Sequence, residues 1–260
     1  MVKKIFKTSL QLARSLEILT SIAMYLTVYT GKSKKPTHPK HLTNDIPWFV
    51  KLISKNDKVL DLGCGTGYDS LICAKRGATL ISLDISDTNI RNAKNMAKSE
   101  KITDVTFKVH DANKTLPFHS NYFDKVLMFD ILEHLHRRDF ALKEVKRVLK
   151  VNGLLLLVTD NPETKWKHMQ KSAGLFYFAD KDHKYEYPLT EITGLLSNRG
   201  FKVLSTDTVV LDTPLKPLID FVGGFSLSLY KKITNWRIRT ARKYPNESTG
   251  FQIVAKKISL

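Results

Sequence analysis

The sequence predicts a doubly wound α/β fold, and three observations carry that prediction. From Val59 to about Asp207, short apolar runs alternate with stretches of helical periodicity, the pattern of βα units on a mostly parallel sheet. Gly77, Gly153 and Gly200 stand where a helix must stop before a strand begins. A hydrophobic share of 42% over 260 residues is enough for a sizeable core and too high for a disordered chain. That length suits one α/β domain with additions better than two full domains.

The strands read in order are Val59–Leu62, Thr79–Asp84, Val105–His110, Lys125–Phe129, Leu154–Thr159 and Phe201–Thr206, with a last one at Phe251–Lys256. The helices between them are Tyr68–Arg76, Asp87–Ser99, Arg138–Lys150 and Thr190–Arg199. Ahead of this core, Leu12, Leu16, Leu19, Ala23 and Leu26 line one face of a helix, and residues 31–39 read as a basic loop. Behind it, a turn at Pro214 and Pro217 opens an insert in which Phe225, Leu229, Ile233 and Trp236 are spaced for one helical face. Gly223–Gly224 is expected to break or bend that element. The division expected is a cap over residues 1–45 and a main domain over 46–260, with the insert at 213–245.

Charge is unevenly placed. The net +17 comes from 42 Lys/Arg against 25 Asp/Glu. Residues 1–40 hold eight Lys/Arg and one Glu, and residues 213–245 hold seven and one Asp, so these two segments carry 13 of the 17 charges. A near-neutral body with two basic attachments calls for an anionic partner: lipid headgroups, nucleic acid or an acidic substrate. The apolar runs Ile18–Thr30 and Pro217–Leu229 are shorter than the roughly 20 residues of a spanning helix. Arg14 and Glu17 interrupt the signal-peptide-like start, and no small-x-small cleavage site follows Tyr29. The expected location is cytoplasmic, with peripheral membrane contact through the basic segments. Two cysteines, Cys64 and Cys73, exclude a disulfide framework and a thiol-rich metal site.

The chemistry is carried by Val59-Leu60-Asp61-Leu62-Gly63-Cys64-Gly65-Thr66-Gly67, a buried strand running into Gly-x-Gly-x-Gly and then a helix. Dinucleotide loops read Gly-x-Gly-x-x-Gly. The tighter spacing after Asp61 points to another nucleoside cofactor. Asp84 follows at the end of the second strand and Asp111 after the third, both where open α/β sheets bind ligands.

With these motifs the sequence resembles the class I S-adenosylmethionine-dependent methyltransferases, in their small-molecule branch, from Val59 to about Thr206 and again near Phe251. The resemblance implies a seven-stranded Rossmann-like sheet with the last strand antiparallel, and S-adenosylmethionine as cofactor. It places Asp61 near the cofactor's ammonium, with Gly63, Cys64, Gly65 and Gly67 against its ribose and methionine parts. Asp84 would grip the ribose diol, Ile85 flank the adenine, and Asp111-Ala112 meet the adenine amino group. Phe129-Asp130 would stand beside the methyl-transfer centre. The cofactor has two cationic centres and no phosphate, which suits a glycine loop lined by carboxylates.

Beyond the fourth strand, His134 and His183 are candidate bases for an acceptor that must lose a proton. Asp130-x-x-Glu133-His134 is similar to the Glu-x-x-Glu-His metal cluster of some ubiquinone-pathway O-methyltransferases and small-RNA 2′-O-methyltransferases. Asp130, Glu133, His134 and His183 are therefore also candidate metal ligands. The plainer reading is that Glu133-His134 opens a helix with no metal. Base amino-methylation is disfavoured, because Asp130-Ile131-Leu132-Glu133 stands where an Asn/Asp-Pro-Pro-aromatic motif would. The expected function is O-methylation of a small or lipid-linked acceptor. RNA methylation or an inactive partner subunit are the alternatives. The basic segments fit an anionic membrane surface better than nucleic acid, since no RNA-binding module is appended.

Overall fold

In a computed structural model, which describes residues 15–43 and 45–258 together with Thr8 and Gln11, contacts divide the chain into two units. One comprises Pro47–Asp160, Ala179–Asp207 and Gly250–Leu260; the other comprises Met1–Ile46, Asn161–Phe178 and Thr208–Thr249.

The first unit is built on a sheet whose axis is β1 (Lys58–Leu62). It pairs in parallel with β2 (Thr79–Asp84) on one side and β4 (Phe123–Phe129) on the other. With β3 (Val105–Val109), β5 (Leu149–Asp160), β6 (Phe201–Thr208) and β7 (Gly250–Lys257), the order is β3-β2-β1-β4-β5-β7-β6. β7 runs antiparallel to β5, Leu156 facing Val254. The seven-stranded sheet with an antiparallel last strand is thus as expected. β5 is longer than its apolar run implies, because Leu149 already pairs with Phe123 before a register shift, after which Leu154 pairs with Lys125. β3 stops at Val109, leaving His110 in the loop.

Consecutive apolar residues feed two cores, as expected of a sheet covered on both faces. Leu60 and Leu62 of β1, Val126 and Met128 of β4, and Leu155 and Leu157 of β5 join one cluster. There they meet Leu142 and Val145 of α4 (Arg138–Val148) and Ile192 and Leu196 of α6 (Leu189–Asn198). Val59, Leu127 and Leu156 join the other, with Phe49, Ile53 and Cys73 of α2 (Tyr68–Lys75). α3 (Asp87–Ser99) is capped by Ser86, whose Oγ accepts from the Asn89 amide at 3.2 Å.

The second unit contains α1 (Ile18–Tyr29), α5 (Lys165–Ser172), α7 (Lys216–Phe225) and α8 (Leu227–Lys243). Leu12 lies outside the described residues. Of the expected apolar face, Ala23 is fully buried and Leu26 half-buried, beside buried Thr27. Gly223–Gly224 does not break the insert. Both lie inside α7, and the chain turns at Ser226, which caps α8 by accepting from the Leu229 amide. What the pair provides is closeness: a Cβ on Gly224 would stand 2.8 Å from Leu26 Cβ and 3.0 Å from the Ala23 carbonyl oxygen. Thr30 Oγ1 donates to the Gly224 carbonyl at 3.0 Å, and Thr20 Oγ1 to Asp220 Oδ2 at 2.9 Å. Buried Asp220 also meets Lys216 Nζ at 2.8 Å and His38 Nε2 at 3.3 Å. Burial opposes its charge, but these partners outweigh that cost and hold it down at about 2.

Phe225, Leu229, Ile233 and Trp236 do not share one buried face. Phe225 belongs to α7, and α8 is buried through Tyr230, Arg237 and Ala241. Arg237 is buried because its guanidinium serves the Leu211 carbonyl, from Nε at 3.1 Å and Nη2 at 2.6 Å. Among the described residues no helix is long and apolar enough to cross a membrane.

Glycine substitutions separate packing from propensity. Gly224→Leu overpacks α1 against α7 and should cost about 1–3 kcal/mol. Gly194→Ala, in the interior of α6 with nothing within 4 Å of an added Cβ, should stabilise by about 0.5–1 kcal/mol. Denaturant unfolding of both variants checks the contrast.

Candidate functional site

The site begins where β1 ends. The chain leaves Leu62 through Gly63, Gly65 and Gly67, all at positive φ (83°, 52° and 83°), and enters α2 at Tyr68. A Cβ on Gly63 would stand 2.5 Å from Ile131 Cδ1, and one on Gly67 2.9 Å from Ala93 Cβ and from the Phe107 ring. Gly65 differs: an added Cβ meets nothing within 4 Å. Two glycines therefore pack the loop down, and the third presents bare backbone to open space. The Gly63 and Cys64 amides both donate to the Leu83 carbonyl, at 2.7 and 2.9 Å, tying the loop to the end of β2.

Two carboxylates border this loop. Asp61, only 3% exposed, accepts from Ser70 Oγ at 2.5 Å, and Ser70 Oγ lies 2.8 Å from Ser82 Oγ. Burial raises Asp61 to about 7 against the opposing Ser70 bond, with Asp69 and Asp84 adding to the rise. Asp84 accepts the Gly65 amide on Oδ2 (2.8 Å), and on Oδ1 the Ser86 amide (2.8 Å) and Asn89 Nδ2 (3.2 Å). A carboxylate has about four acceptor positions, so these three bonds leave Asp84 little spare capacity. A diol gripped by both oxygens must displace one of them.

Farther along, Ile85 is 69% exposed beside Asp84. Asp111 Oδ1 accepts from the Asn113 amide and Nδ2, both at 2.9 Å, and these bonds lower its pKa. Ala112 is buried. The thiol of buried Cys64 is pushed up by burial. The Phe129 ring packs on Trp48 and Phe49, with centroids at 5.8 and 5.1 Å, inside the second core. Asp130 follows at φ 49°, its amide donating to the Val158 carbonyl.

The next turn, Leu132–His134, carries fully buried Glu133. Its Oε1 accepts from the Asp160 amide at 3.4 Å, while Oε2 has no hydrogen-bond partner among the described residues. Burial pushes Glu133 up to about 8. Glu133, Asp160 and His183 each offer a ligand atom, all within 4.8 Å of one another. His183 Nε2 lies 3.8 Å from Asp160 Oδ2, and Nδ1 lies 2.9 Å from Oε1 of buried Glu186. Burial opposes protonation of His183, but the bond to Glu186 and the neighbouring carboxylates raise its pKa. His134 stacks edge-on to His183, centroids 4.5 Å apart, and is lowered by burial and then by His183. The structure thus joins Glu133 to His183 as read from sequence, but with Asp160 as the third group. Asp130 and His134 are not among the three.

A protein-family model described as a methyltransferase domain matches residues 53–194, more than half of the chain. The chain belongs to that family. This methyltransferase domain goes with S-adenosylmethionine as cofactor, and the loop passes the test of fit. Gly65 exposes backbone where a ligand can approach, and two carboxylates border the loop. The domain is 37% identical over 111 residues to a ubiquinone biosynthesis O-methyltransferase of Pelagibacter ubique, covering 43% of this chain and 45% of that protein. It is 29% identical over 125 residues to a demethylmenaquinone methyltransferase of Tropheryma whipplei, covering 48% of each. The chain thus spans about half the length of these curated relatives. Among solved structures, an S-adenosylmethionine-dependent methyltransferase from Methanosarcina mazei superposes with a TM-score of 0.58 at 23% identity, covering 83% of this chain and 100% of that one. The [4+2]-cyclase SpnF superposes equally well, TM-score 0.58 at 20% identity over 85% of this chain and 81% of its own. The architecture alone therefore does not select the reaction.

Sequence reasoning missed Asp160, Glu186, Ser70 and Asn89. Asp160 had a usable signal: it ends β5 as Asp84 ends β2, an acid at a strand's carboxyl end. Glu186 had a weaker one, three residues beyond His183.

The pKa of Asp61 makes a prediction. Near pH 6 the carboxyl is mostly protonated and near pH 8 mostly ionised. With the cofactor's ammonium placed beside Asp61, as the resemblance implies, the ionised form is preferred, so cofactor affinity should rise roughly tenfold between about pH 6 and pH 8, with proton release. Calorimetry in buffers of different ionisation enthalpy reads both effects. Asp61→Asn should bind more weakly and lose most of this rise.

Proposed function

We propose that this domain transfers a methyl group from S-adenosylmethionine to oxygen on a small or lipid-linked acceptor. Asp61 would face the cofactor's ammonium and Asp84 its ribose. Asp111 and Ala112 would border the adenine with Ile85, and backbone at Gly63–Gly67 and Phe129–Asp130 would complete the wall. The bound sulfonium supplies an electrophilic methyl, which an acceptor oxygen displaces in line.

The observation that supports the oxygen acceptor is the cluster of Glu133, Asp160 and His183 after β4 and β5, one strand away from the glycine loop. β1 and β4 are paired neighbours, and Gly63 abuts Ile131, two residues before Glu133. An acceptor hydroxyl held there is next to both the cofactor loop and a proton acceptor. Orientation supplies much of such a rate. His183, oriented by Glu186, is the group assigned to take the hydroxyl proton, with His134 beside it. By their printed names the relatives are a ubiquinone biosynthesis O-methyltransferase and a demethylmenaquinone methyltransferase, which supports a lipid-linked, quinone-like acceptor; the enzyme would reach it at a membrane surface from a cytoplasmic position.

A second reading rests on the unpartnered Glu133 Oε2. The three groups could hold a divalent cation, with Glu186 orienting His183 from behind as metal-ligating histidines are commonly oriented. Ligands of a small divalent ion at about 2.1 Å lie at most about 4.2 Å apart, so the three atoms, which lie within 4.8 Å of one another, would draw together around it.

Methyl-labelled cofactor, incubated with native extract and partitioned between organic solvent and a nuclease-treated aqueous phase, tests the acceptor. The label should enter the organic phase, and Asp84→Ala should abolish it. Label confined to a nuclease-sensitive aqueous fraction would replace the lipid reading with RNA. Dialysis against a chelator separates the roles of the cluster. Unchanged turnover leaves His183 as base, with His183→Ala lowering kcat by about 100-fold or more. Loss restored by a divalent ion, and abolished in Asp160→Asn, makes it a metal site.

A further inference from the structure

The second unit shows water two apolar stripes that the proposed chemistry does not use. On α8 the buried side is formed by Tyr230, Arg237 and Ala241. Opposite them, Leu229, Lys232, Ile233, Trp236, Arg239 and Lys243 fall within an arc of about 120°. Leu229 and Trp236 are about half exposed, and Ile233 is half-buried at the edge of the stripe. No acidic residue occurs between Asp220 and Glu247. Lys231, on the flank, is already paired with Asp45, whereas Lys232, Arg239 and Lys243 are not in ion pairs among the described residues. The second stripe is on α1. Ile18, Ile22, Tyr25 and Tyr29 recur at spacings of 4, 3 and 4, opposite buried Ala23 and Thr27, and Tyr29 is 88% exposed. α1 carries no charged residue at all.

We infer that these two faces of the second unit dock on an anionic lipid bilayer, with Leu229, Ile233 and Trp236 entering the headgroup boundary and Lys232, Arg239 and Lys243 meeting lipid phosphates. The composition decides between polyanions. A nucleic acid would use the cations and a stacked aromatic, but it has no use for exposed Leu229, Ile18 and Ile22. A bilayer interface uses all three classes at once: aliphatic groups for burial, Trp and Tyr at the headgroup level, cations for the surface potential. Because α1 and α7 meet through Gly224 without space for a side chain, the α1 stripe is held on a rigid support. The inference deepens the lipid-linked acceptor reading and rests on it for its purpose.

The test is cosedimentation of the full chain with vesicles of neutral phosphatidylcholine, and with vesicles in which about a third of the lipid is phosphatidylglycerol. Binding should favour the anionic vesicles and weaken steeply with added salt. The emission difference between wild type and Trp236→Phe should shift to the blue on binding. Each cation contributes about fivefold near such a surface, so Lys232→Glu/Arg239→Glu/Lys243→Glu should lower affinity by at least about a hundredfold while still binding S-adenosylmethionine in calorimetry. Equal partition to both vesicles, or a triple variant that binds like wild type, overturns the inference. So does capture of RNA without vesicle binding. If the triple variant no longer binds cofactor, the salt series on wild type and Leu229→Ser decide, and affinity unmoved by either defeats the proposal. Vesicle binding without methyl transfer into lipid extract would defeat the acceptor reading and leave this surface standing.

Discussion

The contact between Gly63 and Ile131 is the constraint on which the site depends. A parallel sheet brings the carboxyl ends of its strands to one edge, but it does not decide how closely the following loops approach. Here the chain leaves β1 with no side chain at Gly63, and Ile131 occupies the space. The glycine loop and the turn after β4 are therefore locked together. Asp61 and Asp84 on one side, and Glu133 with its partners on the other, become parts of one sheet edge. Any β-carbon at Gly63 would collide with the Ile131 side chain and would sit on a backbone of positive φ that L residues rarely adopt.

Around that contact, the site holds its polar groups in two different conditions. Asp84 is bound on both oxygens, on Oδ2 by the Gly65 amide of the loop it borders and on Oδ1 by Ser86 and Asn89 at the start of α3. It is therefore positioned before any ligand arrives, and a ligand competes with those bonds. Asp61 and Glu133 are the reverse: buried carboxyls, each pushed up by desolvation. A buried carboxylate without a full set of partners costs free energy that a proton or a cation removes. Two such groups on one sheet edge favour positive charge beside them, the opposite of a phosphate-binding loop of similar outline. That electrostatic character agrees with a sulfonium cofactor and explains why the glycine spacing by itself was the weaker clue.

The second unit is organised differently. Its helices are joined by small-residue contact at Ala23 and Gly224, by Asp220 with its Thr20, Lys216 and His38 partners, and by Arg237 on the Leu211 carbonyl. Polar pins and close backbone contact, more than a large apolar core, hold it. Large apolar side chains stand on the outside of α1 and α8, and on α8 they lie among Lys232, Arg239 and Lys243, which make no ion pair among the described residues.

What the sequence determined was whatever local pattern can encode. Apolar runs and glycine punctuation set the succession of strands and helices along a doubly wound fold. Asp61, the three loop glycines, Asp84 and Asp111 were legible because each stands at a fixed offset from a strand end. What only tertiary structure decided was contact between distant segments. Asp160 joins Glu133 and His183 because β4 and β5 are neighbours, and Glu186 reaches His183 only as that loop folds. Gly223–Gly224 reads as a break in one dimension, and in three it is the place where another helix comes close. The apolar residues of the insert looked alike in sequence, yet Tyr230 is buried and Trp236 is not. Helical spacing names the faces of a helix, and only the packing partner, here Leu211 drawing Arg237 inward, selects which face is hidden.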